Sequence, residues 1–171
     1  MSRRRAWVAL LALGLMVSFA IAAGRASTWT ALISARHPDV AWVDSETLSD
    51  WMDDSSDGEL VLLDVRTPEE QRVSHLQDAR LVDARNPNIG ALTIPTGATV
   101  VVYCSMGYRS ASIIEALEQT GRPNIYNLEG GIFDWANQDR PIYRGVKRTH
   151  GVHPFNSVWG LLLRKDLRAK D

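Results

Sequence analysis

Cysteine occurs once in the 171 residues, as Cys104, and that scarcity excludes a good deal. One thiol cannot close an intrachain disulfide, nor can it supply the repeated thiolates of a zinc or iron–sulfur centre, so its chemical use is as a reactive group. Excess charge is missing too: the net charge is −1, with 45% hydrophobic and 23% charged residues, which excludes a disordered, collagen-like or wholly membrane-embedded chain. The near-zero sum hides three blocks. Residues 1–36 carry five arginines and no acid, residues 37–139 carry six arginines against eighteen acids, and residues 140–171 carry eight Lys and Arg against two Asp. The acidic body repels phosphodiester backbones and argues against nucleic acid as a partner.

Long apolar runs are lacking except at the start. Arg3, Arg4 and Arg5 precede an uncharged stretch from Ala6 to Gly24. Its 19 residues would extend about 28 Å as a helix, close to the ~30 Å of bilayer hydrocarbon. The positive-inside rule then places everything after Gly24 across the membrane, in the periplasm of a bacterium. Two readings stay open: an inner-membrane anchor over residues 6–24, with membrane contact through it, or a signal peptide cut near the small residues Ala20-Ile21-Ala22. Residues 25–39 read as a stalk or first helix, with Trp29, Leu32 and Ile33 on one face and Pro38 ending it.

From Val40 onward short apolar runs alternate with helical segments. Val40 to Val43, Leu60 to Leu63, Ala79 to Val82, Thr99 to Tyr103 and Ile125 to Leu128 are the expected strands. Between or after them lie expected helices: one capped by Ser45, one over Pro68 to Val73, one over Ser110 to Gln119 stopped by Gly121, and one over Gly131 to Asn137. Asp53 to Gly58 reads as a polar turn and Asn86 to Gly97 as loop. Such alternation specifies an α/β domain with a mainly parallel sheet, because parallel neighbours need crossover helices. Ligands in such sheets gather at the carboxyl ends of the strands, and Cys104 stands at one.

The chemistry-bearing segment is Tyr103-Cys104-Ser105-Met106-Gly107-Tyr108-Arg109-Ser110. A cysteine between a strand end and a helix start faces backbone N–H groups and the positive end of the helix dipole, which favours its thiolate. Arg109 adds a cation, and Gly107 removes a side chain where the backbone must curl round an anion. The plainer alternative is a small buried hydrophobe at a strand end.

This order of motifs resembles the rhodanese family, and specifically its single-domain members. Leu62 to Arg66 is similar to the family's LDVR strand, Glu70 and His75 fall in its E…GHI…A segment, and Cys104 to Ser110 is similar to its active loop. Leu128 to Trp135 is similar to its closing L-x-GG-x-x-x-W element, and the likeness runs from Val40 to Tyr143. Ser74 and Asp78 stand where the family usually has glycines. The resemblance implies a rhodanese-like domain over residues 40–143, a five-stranded parallel sheet flanked by helices on both faces, and sulfur transfer through a persulfide on Cys104. Related phosphatases separate Cys and Arg by five residues; here four lie between Cys104 and Arg109, a smaller ring suited to one terminal sulfur.

The expected reaction moves a sulfane sulfur from thiosulfate or a similar donor to cyanide or a thiol, a protein thiol included, without metal or organic cofactor. Residues Ser105 to Ser110 bind the charged sulfur, and Arg109 orients the donor's negative end. Asp64, Arg66 and His75 are expected to support the site rather than react, and Trp135 is expected in the core. The alternatives are a rhodanese-fold binding or persulfide-carrier module with little turnover and a phosphatase-type enzyme. In the basic tail, residues 144–171, Asn156 or Ser157 is expected to cap a short helix carrying Val158, Trp159 and Leu162, docked on the acidic body; anionic lipid or a partner are its other destinations. His150 and His153 alone are too few for a metal site.

Overall fold

The computed structural model describes residues 28–54, 59–83, 92–118, 121 and 124–170. The apolar stretch 6–24 lies outside these, as do most of the 53–58 turn and much of the 86–97 loop. Among the described residues no helix is long and apolar enough to cross a membrane.

Helix α1 covers residues 28–36. Then follow β1 (Ala41–Val43), α2 (Ser45–Asp53), β2 (Leu60–Asp64), α3 (Pro68–Val73), β3 (Arg80–Leu81), β4 (Thr99–Tyr103), α4 (Tyr108–Glu118), β5 (Ile125–Leu128) and α5 (Gly131–Asn137). The five strands form one parallel sheet in the order β1-β5-β4-β2-β3. The central pair β2 and β4 match residue for residue from Leu60 opposite Thr99 to Asp64 opposite Tyr103.

The period-two geometry of a strand, with both faces covered, explains why Leu60 to Leu63 and Val100 to Val102 are apolar without a break. Val61, Leu63, Val100, Val102 and Cys104 enter a core beneath α4, where Ile113, Ile114 and Leu117 meet them and Ile33 of α1 joins. Leu62, Val101 and Tyr103 enter the opposite core with Leu48 of α2 and with Ile132, Phe133 and Trp135 of α5. Thus β4 feeds a helix on one face while its neighbour β5 feeds a helix on the other. The crevice at their carboxyl ends holds Cys104.

Several boundaries differ from expectation for local reasons. Asp44, not Ser45, caps α2: its Oδ1 accepts the Thr47 N–H at 2.7 Å. Helix α4 begins at Tyr108, so half of the anticipated loop is already helical. Asp78 has φ 55°, the left-handed region that glycine enters without strain, so the missing family glycine leaves its backbone conformation behind.

The tail departs most from its expectation of one short helix. Ile142–Arg144 and Lys147–Thr149 pair as an antiparallel hairpin, β6 and β7, turning at Gly145 with φ 57°. Two 3₁₀ turns follow, Trp159–Leu162 and Lys165–Leu167. Val158 stands at the cap position of the first, and Asn156 supports it from two residues upstream, its Oδ1 accepting the N–H groups of Val158 and Trp159. Ile142, Val152, Leu163 and Leu167 are buried in the second core. Arg164 donates to both carboxylate oxygens of Asp139 at 2.8 Å, so the basic tail docks on the acidic body.

Candidate active site

Three carbonyl groups of the loop after β4 are drawn outward. The N-terminal amides of α5 take two of them: Ile132 N–H donates to the Cys104 carbonyl at 3.0 Å and Phe133 N–H to the Ser105 carbonyl at 3.2 Å. Asn127 Nδ2, from β5, donates to the Gly107 carbonyl at 2.8 Å. With its carbonyls held away, the loop presents N–H groups to its centre. Gly107 N–H points at Cys104 Sγ across 3.1 Å.

This close approach explains two glycines. Gly107 turns the loop at φ 101°, and a Cβ there would stand 3.1 Å from the Trp42 ring. A Cβ on Gly131, at φ 56°, would overlap the Cys104 carbonyl and come within 2.7 Å of Met106 N.

Burial pushes the Cys104 thiol up, but the Arg109 cation, the backbone N–H groups of Met106 and Ser110 and the Ser110 hydroxyl outweigh it, holding the thiol below its usual value. Arg109 in turn is fixed by Glu70. Its Nη1 and Nη2 donate to the two carboxylate oxygens at 2.8 Å each, a fork-to-fork pair. Ser105 Oγ completes the cluster, donating to Glu70 at 2.8 Å and accepting from Arg109 at 3.0 Å. Phe155 from the tail covers the guanidinium, 4.7 Å from ring centroid to Cζ.

Glu70 is the residue that the sequence reading named without a role. It closes the capping box of α3, where Thr67 Oγ1 accepts the Glu70 N–H and the Glu70 carboxylate accepts the Thr67 N–H. Burial raises its pKa, yet Arg109, the Thr67 amide and Ser105 together bring it down to about 2. The signal was present as Thr67-Pro68-Glu69-Glu70, the S/T-x-x-E pattern of a helix start.

Arg109 was expected to orient a donor's negative end. In the structure its terminal nitrogens bond Glu70 and Ser105, and its cation also acts on the Cys104 charge.

The three supporting residues sit apart from the thiol. Arg66 donates through Nε and Nη2 to Asp64 at 2.9 and 2.7 Å, and to the Ser74 carbonyl. Tyr103 OH donates to Asp64 at 2.9 Å and accepts from Leu76 N–H at 3.1 Å. This buried cluster ties the end of β2 to the turn after α3. Asp64 and Arg66 thus pair with each other and with neighbouring backbone, the supporting place expected of them. His75 bonds the Leu76 carbonyl through Nδ1 at 2.7 Å and exchanges backbone hydrogen bonds with Tyr143.

A pocket of about 340 Å³ opens over Cys104, with Ser105, Met106, Tyr108 and Arg109 in its floor. Its remaining walls, Trp29, Leu32 and Ile33 of α1 and Phe155 and Trp159 of the tail, come from outside the central motif run. No spacing pattern could have brought these two ends of the chain together. His150 and His153 have separate partners, Asp166 and the Phe155 amide. Among the described residues no cluster of His, Cys, Asp or Glu could hold a metal ion.

Residues 46–138, more than half of the chain, match the model of the rhodanese-like domain. The chain belongs to the rhodanese-like family. It is 37% identical over 100 residues to a sulfurtransferase of Allochromatium vinosum, covering 58% of this chain and 92% of that protein. It is 38% identical over 96 residues to the "Probable adenylyltransferase/sulfurtransferase MoeZ" of Mycobacterium tuberculosis, covering 55% of this chain but only 24% of that one. The chain therefore spans about a quarter of the length of the mycobacterial relative. Among solved structures, a thiosulfate sulfurtransferase from Pseudomonas aeruginosa superposes with a TM-score of 0.55 at 21% identity, over 72% of this chain and 23% of that one. A rhodanese-related protein from Thermoplasma volcanium gives 0.52 at 24%, over 61% and 98%. These structures share the fold: a five-stranded parallel sheet with helices. The rhodanese domain and the sulfurtransferase relatives support sulfur transfer in general.

Proposed function

We propose that this rhodanese-like chain carries a sulfane sulfur on Cys104, taking it from thiosulfate or a similar donor and passing it to a thiol or cyanide. The observation that carries the reading is the Gly107 N–H aimed at Cys104 Sγ inside a loop whose carbonyls are turned outward. In the first half-reaction the thiolate attacks the outer sulfur of thiosulfate. The S–S bond of the donor breaks, sulfite leaves with the electron pair, and a Cys104 persulfide anion remains. In the second, cyanide or a thiolate attacks the outer persulfide sulfur and the Cys104 thiolate returns.

The chain's own residues supply charge and position. Loop amides stay aimed at the anionic sulfur through both halves, so they need no reorganisation as charge moves outward by one atom. Arg109, locked by Glu70, offsets the negative charge.

Thiocyanate formation from thiosulfate and cyanide tests the reading. Turnover is expected from the wild-type chain and none from Cys104→Ser; turnover persisting in that variant contradicts it. A persulfide that forms on Cys104 but does not pass to either acceptor marks a carrier module instead. Export past residues 6–24 belongs to the same proposal, and recovery of the chain in a periplasmic or inner-membrane fraction is the expected result.

A further inference from the structure

The active loop accounts for the floor of the Cys104 pocket but not for its walls. Those are built by α1 and the tail, which the chain adds on either side of its rhodanese-like domain, and they are apolar. Both additions are secured in place. Ile33 is buried in the core, His37 Nδ1 hydrogen-bonds Glu115 of α4 at 2.8 Å, and Trp29 meets Trp159 edge to face with ring centroids 5.1 Å apart. Yet Trp29, Leu32 and Phe155 remain 36%, 58% and 42% exposed, so apolar surface lines an opening that leads to a nucleophile. At about 340 Å³ the space is within the range of small-molecule sites and far exceeds what the two sulfurs and three oxygens of thiosulfate need.

The charge balance points the same way. Around the thiolate stand one carboxylate, Glu70, and one cation, Arg109, whose terminal nitrogens bond that carboxylate. Among these three groups negative charge is in excess once Cys104 ionises, and a dianion entering between apolar walls would lose its hydration without gaining a free cation.

We propose that the pocket selects an organic sulfane-sulfur donor with an apolar group, an aryl or alkyl persulfide or thiosulfonate, over inorganic thiosulfate. The apolar group lies between α1 and the tail while the terminal sulfur meets Cys104. The inference rests on the sulfur-transfer reading. With a thiosulfonate anion the Cys104 thiolate attacks the terminal sulfur, the S–S bond breaks, sulfinate departs with the electron pair, and the persulfide anion forms; an organic persulfide releases its thiolate in the same way.

The test measures the second-order rate of persulfide formation on the full chain with thiosulfate, methanethiosulfonate and benzenethiosulfonate anions. Each rate is divided by that of glutathione with the same donor, which removes intrinsic reactivity. The normalised rate is expected to be at least tenfold higher for the benzene than for the methane donor, and lowest for thiosulfate. Leu32→Ala and Trp29→Ala, at exposed positions, are expected to lower the benzene-to-methane ratio by half or more. A ratio near one, a ratio unmoved in both variants, or fastest loading by thiosulfate overturns the pocket's selectivity and leaves sulfur transfer standing. A pocket filled by the chain's own preceding residues would likewise give no dependence on the organic group. No loading by any donor, in protein whose Cys104 is still alkylated by iodoacetamide, overturns both readings.

Discussion

Cys104 is buried, and burial alone would keep a thiol protonated. Its anionic tendency therefore depends on a few aimed groups, Arg109 foremost. Arg109→Ala should move the midpoint of a pH-dependent iodoacetamide alkylation profile upward and slow persulfide formation near neutrality by about 10²-fold, the usual cost of losing one charge-stabilising donor. Arg109→Lys should retain more of the downward shift, since it keeps the charge and loses only the fork. Glu70 makes a second prediction. Its folded pKa of about 2 lies below the ordinary 4.5, so its ionised form stabilises the fold fully above pH 4.5, and that contribution is lost as pH falls from there toward 2. Urea midpoints should fall between about pH 5 and about pH 3, and Glu70→Gln should start lower and flatten part of that decline.

At the scale of elements, the site is made by α5 pressing its first amides into the loop after β4. Gly131→Ala would force a Cβ into the Cys104 carbonyl at a backbone conformation unfavourable to side chains. It should cost about 1–3 kcal/mol in denaturant unfolding and displace the loop enough to reduce persulfide formation. The elements themselves were legible where pattern and burial coincide. TVVVY reads as a strand because both its faces are covered, and Ile113, Ile114 and Leu117 read as a helix face because one core receives them. The β6–β7 hairpin was not read, although Gly145 at its turn was a usable signal, because its strands are three residues long and, Ile142 apart, exposed or half-buried, too short and too polar to show an alternating apolar pattern. Asp44 displaced Ser45 as a cap because either side chain suits that role, and only the chain's direction after β1 decides between them.

For the whole molecule, the family domain supplies the nucleophile and the terminal additions complete both the core and the pocket. The tail's Leu163 is 1% exposed, so Leu163→Ala should destabilise the chain by about 2–5 kcal/mol, read from denaturant midpoints, as a core position does. The opposed charges of body and tail were visible in the sequence and indicated docking. The meeting of α1 with the tail over Cys104 was not, because hydrophobic periodicity reports which face of an element is apolar and not what it faces.

Central to this account is a buried, amide-surrounded thiolate that holds one additional sulfur. Intact-mass measurement of the chain after exposure to thiosulfate and, separately, to benzenethiosulfonate addresses it directly. The account predicts a gain of one sulfur atom, located on Cys104, reversed by cyanide with release of thiocyanate, and absent in Cys104→Ser. An unchanged mass with both donors, in protein whose thiol remains open to alkylation, would contradict it.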